Sequence, residues 1–95
     1  MRLEFSGILW FWRGPAPFHF VTVPEVESEL LASISDAVSY GWGMLPATVS
    51  IGSTTWSTAL WPKDGGYIVP IKNAVRTAQK LELDDDIHLI LEIAA

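Results

Sequence analysis

The sequence predicts a mainly β protein with two short helices inserted among its strands. Three observations support this fold class. Segments rich in β-branched and aromatic residues follow one another along most of the chain. Turn signals containing glycine, proline or aspartate separate these segments. Only residues 24–40 and 70–81 carry apolar side chains at the helical period.

Composition indicates one folded domain, residues 1–95, with one modest hydrophobic core. The net charge of −5 disfavours nucleic acid and anionic membranes as partners. Because the chain has no cysteine, disulfides, thiolate nucleophiles and cysteine metal sites are excluded. No apolar run approaches the roughly 18 residues of a membrane span, and there is no signal peptide pattern. We therefore expect a cytoplasmic protein.

The first two predicted strands, residues 3–12 and 18–23, flank a Gly- and Pro-rich turn and are expected to form a hairpin. Trp10 and Trp12 share one face of the first strand. Because that strand is apolar on both faces, a core strand is expected, and the alternative is that one Trp is an exposed stacking platform. His19 has apolar neighbours on its own face and no apparent catalytic partner, which favours an ordinary buried or edge histidine.

The first predicted helix begins at Pro24, which is well suited to a first helical turn. Its acidic residues Glu25 and Glu29 are expected to be solvated charges rather than a catalytic pair. The apolar stripe expected to face the core comprises Val26, Leu30, Ile34 and Val38, widened by Leu31 and Ala37. Gly41 is expected to cap the helix, and Trp42 either folds back over the core or is exposed.

Two further hairpins are predicted in the second half of the chain. The first joins strands at residues 47–51 and 54–61. The second uses the turn at residues 62–66 to reach a strand at residues 67–69. Thus every strand up to this point has a sequence neighbour with which it can pair.

The second predicted helix starts at Pro70 and ends at Leu81. Its expected apolar face comprises Ile71, Ala74, Val75, Ala78 and Leu81, and its basic face comprises Lys72, Arg76 and Lys80. Residues 84–86 are three aspartates that favour a turn, and residues 87–93 alternate as a final strand.

The chain also resembles a known bacterial family, the domain of unknown function DUF1905. In the N-terminal half, Phe5, Leu9 and the run at residues 20–25 match its pattern. The other matching residues are Gly41, Trp42, Gly43, Pro46, Ile51, Gly52, Trp56, Leu60, Pro62, Lys63, Asp64, Gly65, Tyr67, Pro70, Lys72, Val75, Arg76, Leu81, Asp85, Leu91 and Glu92. Asp84 departs from the pattern, which has glycine there.

This resemblance implies a small double-split β-barrel of about six to seven strands, with the helices at 24–40 and 70–81 capping its ends. It implies no activity. Residues 67–92 are also similar to the swapped-hairpin unit of AbrB and MazE-type transcription regulators, which dimerises and binds DNA.

Four of the six cationic residues, Lys63, Lys72, Arg76 and Lys80, fall close together in the sequence. Two interpretations remain open. These side chains could form ordinary surface ion pairs with Asp64, Glu82 and the 84–86 turn. Alternatively, they could recognise a phosphate or carboxylate, with an aromatic ring stacking beside it. The predicted ligand-binding residues are Trp42, Trp56, Lys63, Tyr67, Lys72 and Arg76.

Two functions follow from this interpretation. The first is a non-catalytic binding or interaction module for an anionic small molecule or an acidic protein partner, as a monomer or homodimer. The second is an AbrB-like DNA-binding or regulatory protein that acts as an oligomer. An enzyme is least favoured, because the sequence has no nucleophile elbow, phosphate-binding glycine loop, paired metal-binding histidines or calcium loop. We expect no catalytic residue, metal or cofactor.

Overall fold

A computed structural model describes residues 1–14, 18–38 and 43–94, without the side chains of residues 37 and 38. Its elements are, in chain order, β1 (Arg2–Trp12), β2 (Phe18–Thr22), α1 (Glu25–Val38), β3 (Leu45–Ile51), β4 (Thr54–Lys63), β5 (Gly66–Ile71), α2 (Asn73–Gln79) and β6 (Asp86–Glu92). The predicted cap at Gly41 lies outside the described residues.

The six strands form a closed antiparallel barrel in the order β1-β2-β5-β4-β3-β6. The three predicted hairpins are confirmed, because β1 pairs with β2, β3 with β4, and β4 with β5. The last strand, β6, pairs with both β1 and β3 and so closes the barrel. This structure confirms the predicted mainly β barrel with two helices.

Alternate residues of the strands point into the barrel and form one core. Leu9, Val49, Val69 and Leu89 come from four different strands and are each fully buried. Two helices extend this core, since Leu31 of α1 and Val75 of α2 join the same cluster. Each helix therefore anchors to the barrel through apolar contacts.

The second helix is shorter than predicted, because Pro70 and Ile71 belong to β5 rather than to α2. Pro70 pairs with Phe20 of β2, whereas β4 pairs only with residues 66–68 of β5. The side of β5 that faces away from β2 therefore has no strand partner at Pro70, and a missing N–H is tolerated there. The helix begins at Asn73 after the cap residue Lys72.

The apolar stripe predicted for α1 is wrong in its first half. Val26 is 65% exposed and Leu30 is 44% exposed, whereas Leu31 is fully buried. Ser28 is also buried, and its hydroxyl donates to the Val23 carbonyl at 3.2 Å. A four-residue spacing drifts around a helix that has 3.6 residues per turn, and α1 packs through the neighbouring line of residues at 28, 31 and 34–35.

The predicted apolar face of α2 is only partly confirmed. Val75 is the one buried residue within the helix, and Leu81 packs against the core just beyond it. Ala74 and Ala78 are exposed, because the short helix touches the barrel along one narrow line. Neither helix in the described part of the chain is long and apolar enough to cross a membrane.

Candidate functional site

The barrel separates two cations that are close in the sequence. Lys63 pairs with Gly66 at the first end of β5, and Lys72 follows Ile71 at the other end. A strand rises about 3.3 Å per residue, so about 17 Å of backbone lies between the two positions. Lys63 therefore does not lie with the cations of α2, because the hairpin turn places it at the opposite end of β5.

The predicted aromatic residues also differ in their surroundings. Tyr67 is buried in the core, so its ring has no open face for a ligand. Trp56 is half-buried against the core, and its indole Nε1 is buried without an acceptor. Trp42 lies outside the described residues. Of the two described residues, Tyr67 and Trp56, only Trp56 has a buried side-chain donor without an acceptor.

Arg76 is half-buried on α2 and has an incomplete hydrogen-bond set. Its Nη1 donates to Asn73 Oδ1 at 2.9 Å, which fixes the guanidinium over the first turn of the helix. Its Nε is buried and has no acceptor. Together with Trp56 Nε1, it is one of two such buried side-chain atoms in residues 1–14, 18–38 and 43–94. Buried donors in folded proteins nearly always have a partner, and no protein atom of the described residues serves as one for either group.

Among the described residues, one of the predicted ion pairs forms, between Lys63 and Asp64. Lys63 contacts its neighbour Asp64 at 3.0 Å, whereas the Asp85 carboxylate accepts the backbone N–H of Glu82 at 2.8 Å. Within the described ranges, Arg76 and the other cations of residues 72–80 form no ion pair. The surface-ion-pair interpretation therefore fits Lys63 and not Arg76.

A surface cavity of about 200 Å³ lies at the start of α2. Arg76 does not line it but donates a hydrogen bond to Asn73, which does. Its lining residues are Phe18, His19, Ile71, Lys72 and Asn73. His19 comes to this place because β2 pairs with β5 in a register that puts His19 opposite Ile71. We define the cationic site as His19, Lys72, Asn73 and Arg76. It contains two of the predicted ligand-binding residues, Lys72 and Arg76.

Burial lowers the pKa of His19 below its ordinary value of 6.5, and the positive charge of Arg76 lowers it further. The imidazole is therefore neutral at pH 7. Thus the positive charge of the cationic site resides on Arg76 and Lys72.

His19 and Asn73 are site residues that the sequence did not nominate. Asn73 follows Lys72 and had no motif to distinguish it. His19 is 54 residues before Asn73 in numbering, and only the pairing of β2 with β5 brings them together. No local sequence signal could have predicted that pairing.

The cationic site offers hydrogen-bond donors and positive charge. Its side chains can donate hydrogen bonds from guanidinium, ammonium, amide and imidazole groups. The part of the chain that the structure describes holds no group of three or more His, Asp or Glu residues that could bind a metal ion. An oxygen-rich anion is the ligand that this donor set suits best.

A family model described as "Domain of unknown function (DUF1905)" matches residues 5–91. The chain belongs to the DUF1905 family. The match includes all or most of every strand and helix of the barrel, and it confirms the resemblance read from the sequence. No curated protein matches this DUF1905 domain. The similarity of residues 67–92 to AbrB and MazE-type units remains a prediction.

Proposed function

We propose that this DUF1905 domain is a non-catalytic binding module that recognises a phosphate or carboxylate group at the cationic site. The observation that carries the proposal is the buried Nε–H of Arg76, which has no acceptor and no carboxylate partner among the described residues. A ligand oxygen would complete its hydrogen bonding.

Energetics favour an acceptor at this position. Leaving a buried donor unsatisfied costs about 1–3 kcal/mol, and more when the group is charged. A guanidinium group keeps its charge and its N–H donors in proteins, so this cost persists without an acceptor. A bound oxyanion would remove the cost and add a charge-assisted hydrogen bond.

The neighbouring groups support recognition of an anion. Lys72 and Asn73 line the cavity and contribute an ammonium and an amide. Asn73 also holds the guanidinium of Arg76 in place, so the N–H groups of Arg76 are partly preorganised for a ligand. None of the five lining residues carries a carboxylate that would repel an anion.

The test is a titration of the protein with inorganic phosphate and with acetate, followed by NMR. We expect saturable shifts of the Arg76 Nε–H and His19 ring signals at millimolar anion. Arg76→Met keeps the apolar length and removes the charge and donors, so affinity should fall at least about tenfold, the effect of one charged hydrogen bond. Lys80→Met is the matched control, because Lys80 caps the far end of the same helix, whereas Arg76 contacts the lining residue Asn73.

Two results would contradict the proposal. One is equal affinity of the wild type and Arg76→Met for both anions. The other is the absence of saturable shifts at the cationic site with either anion at millimolar concentration. An acidic peptide serves as the probe for a protein partner, and its binding should show the same dependence on Arg76.

A further inference from the structure

The outer face of the barrel carries an aromatic surface that is separate from the cationic site. Strand alternation directs Trp12, Phe18, Phe20 and Trp61 outward from β1, β2 and β4. The register places Trp12 directly opposite Phe18 on the neighbouring strand. We define the aromatic groove as these four residues together with Lys63.

The rings of the aromatic groove hold one another in place. Trp61 contacts Phe18 at a centroid distance of 5.5 Å and Phe20 at 5.1 Å, both edge to face. These are favourable aromatic geometries. Trp12 and Phe18 nevertheless remain 44% and 39% exposed, so they present open ring surface to solvent. An exposed Trp on β1 was the alternative considered from the sequence.

Trp12 is positioned by its own chain. A Cβ atom added to Gly14 would overlap the indole, so glycine at that position lets the ring lie against the backbone. The ammonium of Lys63 lies 5.5 Å from the centroid of the Trp12 ring, a distance typical of a cation–π contact. A flat apolar surface and a positive charge therefore occur side by side.

A cavity of about 210 Å³ lies within this surface. It is lined by Trp12, Phe20, Trp61, Pro62, Lys63 and Ile68. Drug-sized sites occupy about 300–1,000 Å³, so this cavity suits one ring or a fused pair of rings. Lys63 is the only charged lining residue, and its present partner is the highly exposed carboxylate of Asp64 at 3.0 Å.

We propose that the aromatic groove binds a planar aromatic ring that carries a carboxylate or a phosphate. The ring stacks on the exposed Trp surface, and the anionic group pairs with Lys63 in place of Asp64. A cationic ligand would be repelled by Lys63. A sugar would find too few polar side chains in the lining.

Affinity is expected to be modest, because other acids lie near Lys63. Glu25 and Glu29 of α1, together with Asp64, line a second cavity on which Lys63 also borders. Their negative charges disfavour an anion near this ammonium. The ring must therefore supply most of the binding free energy, and the anionic group supplies selectivity.

NMR of the five Trp indole N–H signals tests the proposal, with 2-naphthoate as the probe. We expect the signals of Trp12 and Trp61 to shift and those of Trp10 and Trp56 to stay. The neutral isostere 2-naphthamide should bind about fivefold more weakly, which is the value of one exposed ion pair. Titration with 2-naphthyl phosphate then shows which anionic group is preferred.

Variants separate the two components of binding. Trp12→Ala should weaken 2-naphthoate at least about fivefold, because a stacked ring is lost. Lys63→Met should leave the affinity for 2-naphthamide unchanged. It should also lower the affinity for 2-naphthoate to that of 2-naphthamide. Trp10→Phe is the matched control, since Trp10 lies on the same outer face and does not line the cavity.

The proposal is overturned if Lys63→Met retains the preference for the anion, or if Trp12→Ala binds as the wild type does. It is also overturned if 2-naphthoate gives no saturable shift of Trp12 and Trp61. Arg76→Met should bind 2-naphthoate normally, so failure at the aromatic groove and failure at the cationic site can be told apart. Circular dichroism of each variant verifies that the fold is intact.

Discussion

At the residue scale, His19 and Arg76 together set the charge of the cationic site. Burial of the imidazole and the nearby guanidinium both oppose protonation, and both lower the pKa of His19. The site therefore keeps a neutral hydrogen-bonding ring beside a permanent cation. A bound anion reverses the second effect, because its negative charge would stabilise the imidazolium.

The pKa of His19 can be measured by NMR titration, and we expect a midpoint below 6.5. Arg76→Met should raise the midpoint without restoring 6.5, because burial is the larger cause and is retained. Saturating phosphate should also raise it. A midpoint in Arg76→Met equal to that of the wild type would show that the guanidinium does not act on His19.

The same shift predicts how stability depends on pH. The unfolded chain binds a proton at His19 more readily than the folded chain does. The stability linked to the neutral ring is therefore present above pH 6.5 and is lost as pH falls from 6.5 through the folded pKa. Urea unfolding at several pH values should show this decrease in the free energy of unfolding. His19→Gln should remove the part of the decrease that is linked to protonation of His19.

Asp84 occupies a backbone conformation that favours glycine. Its φ angle is +69°, in the left-handed region that non-glycine residues adopt at a cost. Asp84→Gly should therefore stabilise the protein by about 0.5–1 kcal/mol, measured by urea unfolding. Asp86→Gly is the control, because Asp86 starts β6 and glycine in a strand is destabilising. Equal effects of the two changes would refute this explanation.

At the element scale, substitutions in α1 can test which side of the helix faces the barrel. Leu31 is fully buried and its neighbour Leu30 is 44% exposed. Leu31→Ala should cost about 2–5 kcal/mol, as for other buried leucines, whereas Leu30→Ala should cost less than about 1 kcal/mol. Thermal or urea unfolding of the two variants measures the two losses of stability. Comparable losses would mean that the helix is rotated from the position described.

Local patterns were sufficient to predict most elements. The three hairpins follow from alternating residues around short turns, and each pairs neighbours in the chain. Pro70 was misleading, because proline suits both a helix start and an unpaired strand edge. The spacing of apolar residues established that α1 is a helix, but it did not establish which side of α1 packs.

At the scale of the whole molecule, closure of the barrel determines which residues can form a site. The pairing of β2 with β5 brings His19 to α2, and the β4–β5 hairpin carries Lys63 away from it. The first pairing joins distant segments whose register depends on the complete fold. The sequence could therefore predict Lys72 and Arg76 as part of a site, but not their neighbours.

Net charge distinguishes the two candidate functions. A molecule with a charge of −5 repels a polyanion more strongly than a single phosphate. We expect no gel shift of duplex DNA at about 50 mM salt, where phosphate contacts are still strong. A shift that Arg76→Ala abolishes would instead support the AbrB-like, oligomeric alternative. Lys80→Met would then show whether the whole basic face of α2 takes part.

The position of α2 has a consequence for self-association. Only residues 61–63 of β4 pair with β5, and the end of α2 contacts the start of β4, where Gln79 donates to Thr54 Oγ1 at 2.7 Å. An uncovered edge strand is a template for pairing with another chain. The helix that carries Arg76 thus shields the barrel from edge-to-edge aggregation. Any anion that holds α2 in place would make the protein more resistant to forming fibrils.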